Sequence, residues 1–190
     1  MTRIDIINTL IKKNNYKSYL EIGIQSGKCF NQIECENKIG VDPDLNVDTT
    51  YNLTSDDFFR TRKEFRFDII FIDGLHTAEQ VEKDILNSLN VLNEGGVIIC
   101  HDMLPINEES QLVPRQTKCW MGDCWKAFVK LRYEREDLYM YTVDTDCGCG
   151  IIYKGFQKKI DKLVDNYADF EKNKQYLMNI RSVEQFLHSL

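Results

Sequence analysis

Tyr19-Leu20-Glu21-Ile22-Gly23, closed by Gly27 and followed by Lys38-Ile39-Gly40-Val41-Asp42, reads as strand, glycine turn, short helix, strand and acidic terminus. This is the pattern of one nucleotide-binding half of an α/β domain. Gly23 and Gly27 lack the side chains that would hold backbone away from a bound cofactor. Asp42 sits nineteen residues after Gly23, where a carboxylate can accept two ribose hydroxyls. The spacing is Glu-x-Gly-x-x-x-Gly rather than Gly-x-Gly-x-x-Gly, so the pyrophosphate-binding turn of a dinucleotide site is missing. S-adenosylmethionine (SAM) fits better, because its sulfonium and amino group need no such turn and tolerate an acidic neighbour such as Glu21.

The 190 residues, 43% of them hydrophobic, are enough to bury one sizeable core. The net charge is −6, with Lys and Arg scattered among the acids, so the basic stripe of a nucleic-acid binder is absent. A small polar substrate is expected, with no nucleic acid and no membrane as partner. No apolar run approaches the roughly 18 residues of a bilayer span, and the first residues lack a signal-peptide layout, so a cytoplasmic location is expected. The seven cysteines then read as reduced thiols, several of them small apolar fillers such as Cys100.

Outward from the glycine turn, Ile4, Ile7, Leu10 and Ile11 recur at helical spacing and predict a first helix ending near Asn14-Asn15, lidding or flanking the cofactor cleft. A third strand is expected around Tyr51 to Leu53, then a helix opened by Thr54-Ser55-Asp56-Asp57. Phe67 to Asp73 is too short for a helix and reads as a strand buried on both faces. Thr77 and Gln80 form a capping-box pattern, Val81, Ile85, Leu89 and Leu92 carry one apolar face, and Gly95-Gly96 is expected to stop that helix before the strand Val97 to Cys100. Residues 103–123 read as a long loop, Trp125 to Leu131 as a helix, and Leu138–Val143 with Gly150–Tyr153 as a terminal strand pair. Ile160, Leu163, Val164 and Tyr167 predict one further helix, and Leu177, Ile180 and Phe186-Leu187 another. The division expected is a catalytic domain over 1–155 and a helical extension over 156–190 packed on it. Ligands of open α/β sheets sit outside the carboxyl ends of the strands, which makes Gly23, Asp42, Asp73, His101 and Asp102 neighbours in space.

Six blocks carry a family resemblance: Tyr-Leu-Glu-Ile-Gly, Gly-Val-Asp-Pro-Asp, Thr-Ser-Asp-Asp-Phe-Phe, Phe-Asp-Ile-Ile-Phe-Ile-Asp-Gly-Leu-His, Gly-Gly-Val-Ile-Ile-Cys-His-Asp and Gly-Asp-Cys-Trp-Lys-Ala. In this order, over residues 16–155, they resemble a class I SAM-dependent methyltransferase, and most closely the small single-domain enzymes of sugar and natural-product O-methylation. The resemblance implies a Rossmann-like seven-stranded sheet in the order 3-2-1-4-5-7-6, its last strand antiparallel and helices on both faces. It also implies that Glu21, Gly23 and Gly27 line the methionine end of the cofactor, Asp42 the ribose, and Ser55-Asp56 the adenine. Gln25 and Ser26 stand where many such enzymes keep a third glycine.

Methyl transfer to a hydroxyl is an in-line displacement, and a neutral alcohol is a poor nucleophile, so a base or a metal must activate it. His76, three residues past Asp73, is the best base in the sequence, with Asp102 as its helper; the plainer reading has His76 capping the helix that begins at Thr77. Asp73, His101 and Asp102 end two adjacent strands, and their oxygen and imidazole donors suit a divalent cation such as Mg, Mn or Ca. Without a metal, Asp73 would contact the cofactor and Asp102 would cap a turn. Zinc on Cys119, Cys124, Cys147 and Cys149 is disfavoured by their spacing. Trp120 and Trp125 read either as loop packing or as a rim that stacks on a sugar ring. The acceptor expected is a sugar or nucleotide-sugar, and a homo-oligomer is left open. The other classes that remain are an NAD(P)-dependent oxidoreductase, whose phosphate loop is missing, and a non-catalytic SAM-binding or partner-docking domain.

Overall fold

The computed structural model describes residues 1–190. Its strands are β1 (Ser18–Ile22), β2 (Asn37–Val41), β3 (Phe67–Ile72), β4 (Leu92–Cys100), β5 (Leu138–Val143), β6 (Cys149–Lys154) and β7 (Ile180–Arg181), and its helices are α1 (Arg3–Asn14), α2 (Ser55–Thr61), α3 (Ala78–Val91), α4 (Cys124–Glu134), α5 (Tyr167–Leu177) and α6 (Val183–His188). The sheet runs β2-β1-β3-β4-β6-β5-β7. β1 pairs in parallel with β2 and β3, and β3 with β4, while β6 is antiparallel to both β4 and β5. Renumbered for a strand around Tyr51, this is the expected order. That strand, however, is only a single parallel bridge between Val41 and Tyr51, and the seventh strand comes instead from Ile180–Arg181, parallel to β5.

Side chains alternate across the pleat, so each central strand feeds two cores. Leu20, Ile22, Ile70, Ile72 and Ile98 pack with Phe58, Ile85, Trp125 and Phe128 under α2, α3 and α4. Tyr19, Ile69, Phe71, Val97 and Ile99 face the other way, against Ile6, Leu10 and Phe186 of α1 and α6. A side chain of this size contributes about 1.5–3 kcal/mol when fully buried, so both faces of the sheet are anchored.

Several expected elements differ. The turn after Gly23 contains a 3₁₀ turn, Phe30–Gln32, and no α-helix. α3 ends at Val91, ahead of Gly95-Gly96, and those glycines lie within β4, where the register with β3 shifts. The Thr77 and Gln80 capping box is not made. Asp123 Oδ1 accepts from the Ala78 amide at 2.7 Å instead, and the Gln80 side chain donates to Ser55, Asp56 and Asp84. Ile160 and Val164 are buried, but on irregular backbone, and helix α5 starts only at Tyr167. The reason is tertiary: the Gln157 side chain pairs with both the N–H and the C=O of Met140 on the rim of β5, and the Ile160 amide donates to Arg132 O. These bonds hold the segment in irregular backbone. Leu177, Ile180 and Phe186 fall into α5, β7 and α6 rather than one helix. Residues 156–190 carry α5 and α6, as the expected helical extension does, and they also add β7 to the sheet and Ile160, Val164, Phe170 and Leu177 to the core.

Candidate active site at the carboxyl ends of β1, β3 and β4

Parallel pairing of β1 with β3 and of β3 with β4 brings Gly23, Asp73 and His101-Asp102 side by side just past the strand ends. The Asp73 amide donates to Ile22 O, and the His101 amide to Ile72 O, extending the ladder by one residue on each strand. Gly23 has φ +90, and a Cβ there would lie 2.2 Å from Asp73 O. Its missing side chain therefore serves first the close approach of the β1 and β3 turns.

The cofactor residues predicted from sequence divide into groups. Asp42 is buried at the end of β2, with Oδ2 accepting from the Ile24 and Gln25 amides, both at 3.0 Å, and Oδ1 from the Asp44 amide at 2.9 Å. It shapes the glycine loop. Glu21 lies on the α1 side of the sheet, accepts from the Tyr19 hydroxyl and is 1% exposed; burial pushes its carboxyl up to about 7. Ser55 and Asp56 open α2, and both accept from Gln80. Asp56 also edges a cleft of about 620 Å³ between α2 and α3, lined by Phe59, Arg60, Lys63 and Asn87. Of the predicted site residues only Asp56 reaches that cleft, so it lies apart from the chemistry below.

The titratable groups converge more tightly than the cofactor residues do. Asp73 Oδ1 is 3.3 Å from both His76 Nε2 and His101 Nδ1, while Asp102 presents Oδ2 to His76 Nδ1 and Oδ1 to His101 Nδ1, each at 3.2 Å. Each imidazole thus spans both carboxylates. Burial acts to raise the Asp73 pKa, but hydrogen bonds from His101 and His76 outweigh it and hold the carboxyl down to about 2. For His76, burial opposes the charged ring, and Asp73 and Asp102 override it, so its pKa is raised. Asp102 adopts φ +59, a left-handed conformation uncommon for a residue with a side chain, which turns its carboxylate back over the strand ends.

Asp73, His76 and Asp102 can each offer one donor atom, and these atoms lie within 4.8 Å of one another. This set differs from the predicted Asp73, His101 and Asp102. It contains His76 rather than His101, whose Nδ1 faces Asp73 and Asp102 and whose Nε2 faces Arg3 Nη1 at 2.9 Å and Asp146 Oδ1 at 3.7 Å. Arg3 and Asp146 were not predicted. Arg3 stands in the first turn of α1 and Asp146 in the β5–β6 turn, and Arg3 Nη1 donates to Asp146 Oδ1 at 3.2 Å. Nothing in spacing or periodicity links positions so far apart in the chain.

The loop 103–123 closes one side of the cluster. Trp120 stacks on the His76 ring at 5.5 Å between centroids, and its Nε1 donates to Leu112 O. Gly122, with φ +65, presses against the His76 carbonyl, where a Cβ would come within 1.7 Å. Trp125, by contrast, is fully buried against Phe170. The seven cysteines are unpaired. No helix is long and apolar enough to cross a membrane.

Residues 20–103 match a protein family described as a methyltransferase domain. Among curated proteins no sequence matches the chain. Solved structures match in fold. A Staphylococcus aureus protein assigned provisionally as a caffeoyl-CoA O-methyltransferase has a TM-score of 0.62 at 18% identity, over 80% of this chain and 82% of that one. An O-methyltransferase from Bacillus cereus, solved with S-adenosylhomocysteine, gives 0.60 at 15% identity, covering 79% and 78%. The mycinamycin-pathway methyltransferase MycE, solved with Mg, S-adenosylhomocysteine and mycinamycin VI, gives 0.51 at 14%, covering 86% of this chain and 50% of that one. The matched block spans β1 through the start of the loop after β4, the part of the chain that brings the glycine turn and the Asp73 to Asp102 cluster together. Residues 20–103 therefore match a methyltransferase domain, and the chain as a whole shares the fold of these O-methyltransferases.

Proposed function

We propose that this chain is a SAM-dependent O-methyltransferase that moves the methyl group to a hydroxyl of a small polar acceptor. The observation that carries the reading is the convergence of two imidazoles and two carboxylates at the ends of β3 and β4, beside the glycine turn of β1. A non-catalytic binding domain has no physical need for four titratable groups packed at 3.2–3.3 Å and largely withdrawn from water.

In this reading Glu21, Gly23, Gly27, Asp42, Ser55, Asp56 and Asp73 surround the cofactor, with the sulfonium methyl toward Asp73. His76 accepts the hydroxyl proton at Nδ1 while the Asp73 carboxylate orients Nε2, and Asp102, 3.2 Å from Nδ1, stabilises the charge that develops on the ring. The donor set also fits a divalent cation such as Mg, Mn or Ca: Asp73, His76 and Asp102 are mutually within reach, and the buried His76 Nδ1 has no hydrogen bond of good geometry. Such an ion, when bound, would polarise the acceptor hydroxyl and lower its pKa. Its presence in MycE agrees with this assignment.

For the acceptor, the finer proposal is a sugar or nucleotide-sugar, supported by Trp120, a partly buried ring at the cluster that can stack on a sugar face. The caffeoyl-CoA description of the S. aureus protein makes a catechol-type acceptor the competitor. Titration calorimetry with S-adenosylhomocysteine and with NADH tests the cofactor, and methyl-transfer assays on nucleotide-sugars and catechols, with and without divalent ions, test the rest. Tight NADH binding without affinity for S-adenosylhomocysteine defeats the proposal. Full activity after exhaustive EDTA, with no metal found by elemental analysis, removes the ion and leaves His76 and Asp102 as the activating pair.

A further inference from the structure

The cleft between α2 and α3 is built from two helix faces. Positions 56, 59, 60 and 63 fall on one side of α2 and its exit, and positions 87, 90 and 91 on one side of α3, the spacings that bring side chains over one another on a helix. Arg66 and Val91 immediately precede β3 and β4, whereas the reactive cluster follows the carboxyl ends of those strands. Six residues of β3 lie between, so the inner end of the cleft is about 20 Å from Asp73. We propose that this cleft is a second binding site, separate from the catalytic centre, for a small phosphate ester with a flat or apolar body, a mononucleotide being the simplest case.

The shape admits such a molecule. The cleft encloses about 620 Å³, and small-molecule pockets commonly hold roughly 300–1,000 Å³. Phe59 and Val91 are buried yet line it, which gives an apolar floor, and Asn87 with Asn90 adds amide donors and acceptors on the wall. The charge selects the phosphate. The chain carries −6 overall, but here Arg60, Lys63 and Arg66 face the single carboxylate Asp56. Arg60 is partly spent, since its Nη2 donates to Asp57 Oδ1 at 2.6 Å. Lys63 and Arg66 enter no ion pair. Arg66 is fixed by backbone instead: its Nη1 donates to Lys63 O at 2.8 Å and Phe65 O at 2.7 Å, which offsets those carbonyls and leaves the Nε and Nη2 edge free. Two N–H groups on one planar edge match two phosphate oxygens, and the Lys63 ammonium adds a point charge beside them. Asp56 stands at the other end of the cleft and repels an anion, so the phosphate belongs at Lys63 and Arg66 and the organic body over Phe59. The three cations end with the cleft rather than continuing as a stripe, which suits a compact ligand and not a nucleic-acid backbone.

Proton–nitrogen correlation spectra of the full chain, recorded with excess S-adenosylhomocysteine to fill the cofactor site, locate binding residue by residue. Phenyl phosphate and UMP should shift the side-chain amides of Asn87 and Asn90 and the backbone amides of Phe59 and Arg66, while phenol and uridine should leave them in place. Lys63→Ala combined with Arg66→Ala should weaken both phosphorylated probes by about 10–100-fold, the worth of lost charged hydrogen bonds, with S-adenosylhomocysteine affinity within about twofold of wild type. Both side chains are exposed, so this variant keeps the fold, and Asn87→Asp, which sets a carboxylate in the wall, should weaken the same probes. Shifts confined to residues around Gly23, His76 and Trp120 overturn the proposal, because the probes would then occupy the catalytic centre. Equal binding of phenol and phenyl phosphate, unchanged affinity in both variants, or no shift from either phosphorylated probe overturns it as well. An acidic peptide that binds these residues when the phosphorylated probes do not would make the cleft a protein-docking face and has the same consequence. If S-adenosylhomocysteine does not bind the wild type, the proposed activity fails, and spectra recorded without it still decide the cleft.

Discussion

The two halves of the sheet's carboxyl edge are built on opposite terms. Around β1 and β2 the polar groups are already spent on the protein: Asp42 takes three backbone amides, and Gly23 is a steric allowance for the neighbouring turn. Around β3 and β4 the groups are crowded and incompletely satisfied, with His76 Nδ1 and Arg3 Nε buried and lacking good partners. The first half is satisfied within the fold, and the second leaves buried donors and acceptors open. Binding energy and chemistry are thus separable: changes near β2 should register mainly in stability and cofactor affinity, and changes near β3 and β4 mainly in turnover.

The largest effect should come from the reactive half. His76→Ala is expected to lower turnover by about 10²–10⁴-fold with S-adenosylhomocysteine affinity nearly unchanged, as steady-state kinetics beside calorimetry would show. Unchanged turnover would reduce His76 to a support for Trp120 and erase the contrast. In the first half, Asp42→Ala leaves the amides of Ile24, Gln25 and Asp44 without their acceptor and should lower stability by about 1–3 kcal/mol, with weaker S-adenosylhomocysteine binding. A urea midpoint equal to wild type would mean that the loop is not held by this carboxylate. The smallest effect concerns Glu21, whose folded pKa of about 7 lies above the unfolded carboxylate value of about 4.3. The folded chain therefore holds this proton more tightly. The associated stability is full below about pH 4 and is lost as pH rises through about 7. Glu21→Gln mimics the protonated form, so melting curves of the wild type should fall relative to the variant between those values and run parallel above them. A constant difference from pH 4 to 8 would place Glu21 outside the burial argument.

The central strands were legible in the sequence because runs such as Phe67–Ile72 are apolar on both faces, which only a covered parallel strand accommodates. The convergence of Asp73, His76, His101 and Asp102 was legible for the same reason, since adjacent strand ends place their next residues together. What failed lies where tertiary contacts override local pattern. Ile160, Leu163, Val164 and Tyr167 have helical spacing, yet Gln157 and Ile160 are tied to β5 and α4, and the backbone there follows those bonds. Helix α3 is capped by Asp123 from a loop 45 positions away, so the local Thr77 pattern goes unused. Arg3 and Asp146, 143 positions apart, carry no local signal at all.

The two-residue strand β7 has a consequence for the behaviour of many molecules together. β5 is the last long strand on its side of the sheet, and its rim is occupied by the Gln157 side chain at Met140, by Asn179 O accepting from the Thr142 amide and by Arg181 O accepting from the Asp144 amide. Stripped of them, that rim would offer a row of free donors and acceptors to any strand in solution. The last dozen residues thus act as a stopper on aggregation as well as a part of the fold, and a chain cut before Asn179 should clump at concentrations where the intact one stays dispersed.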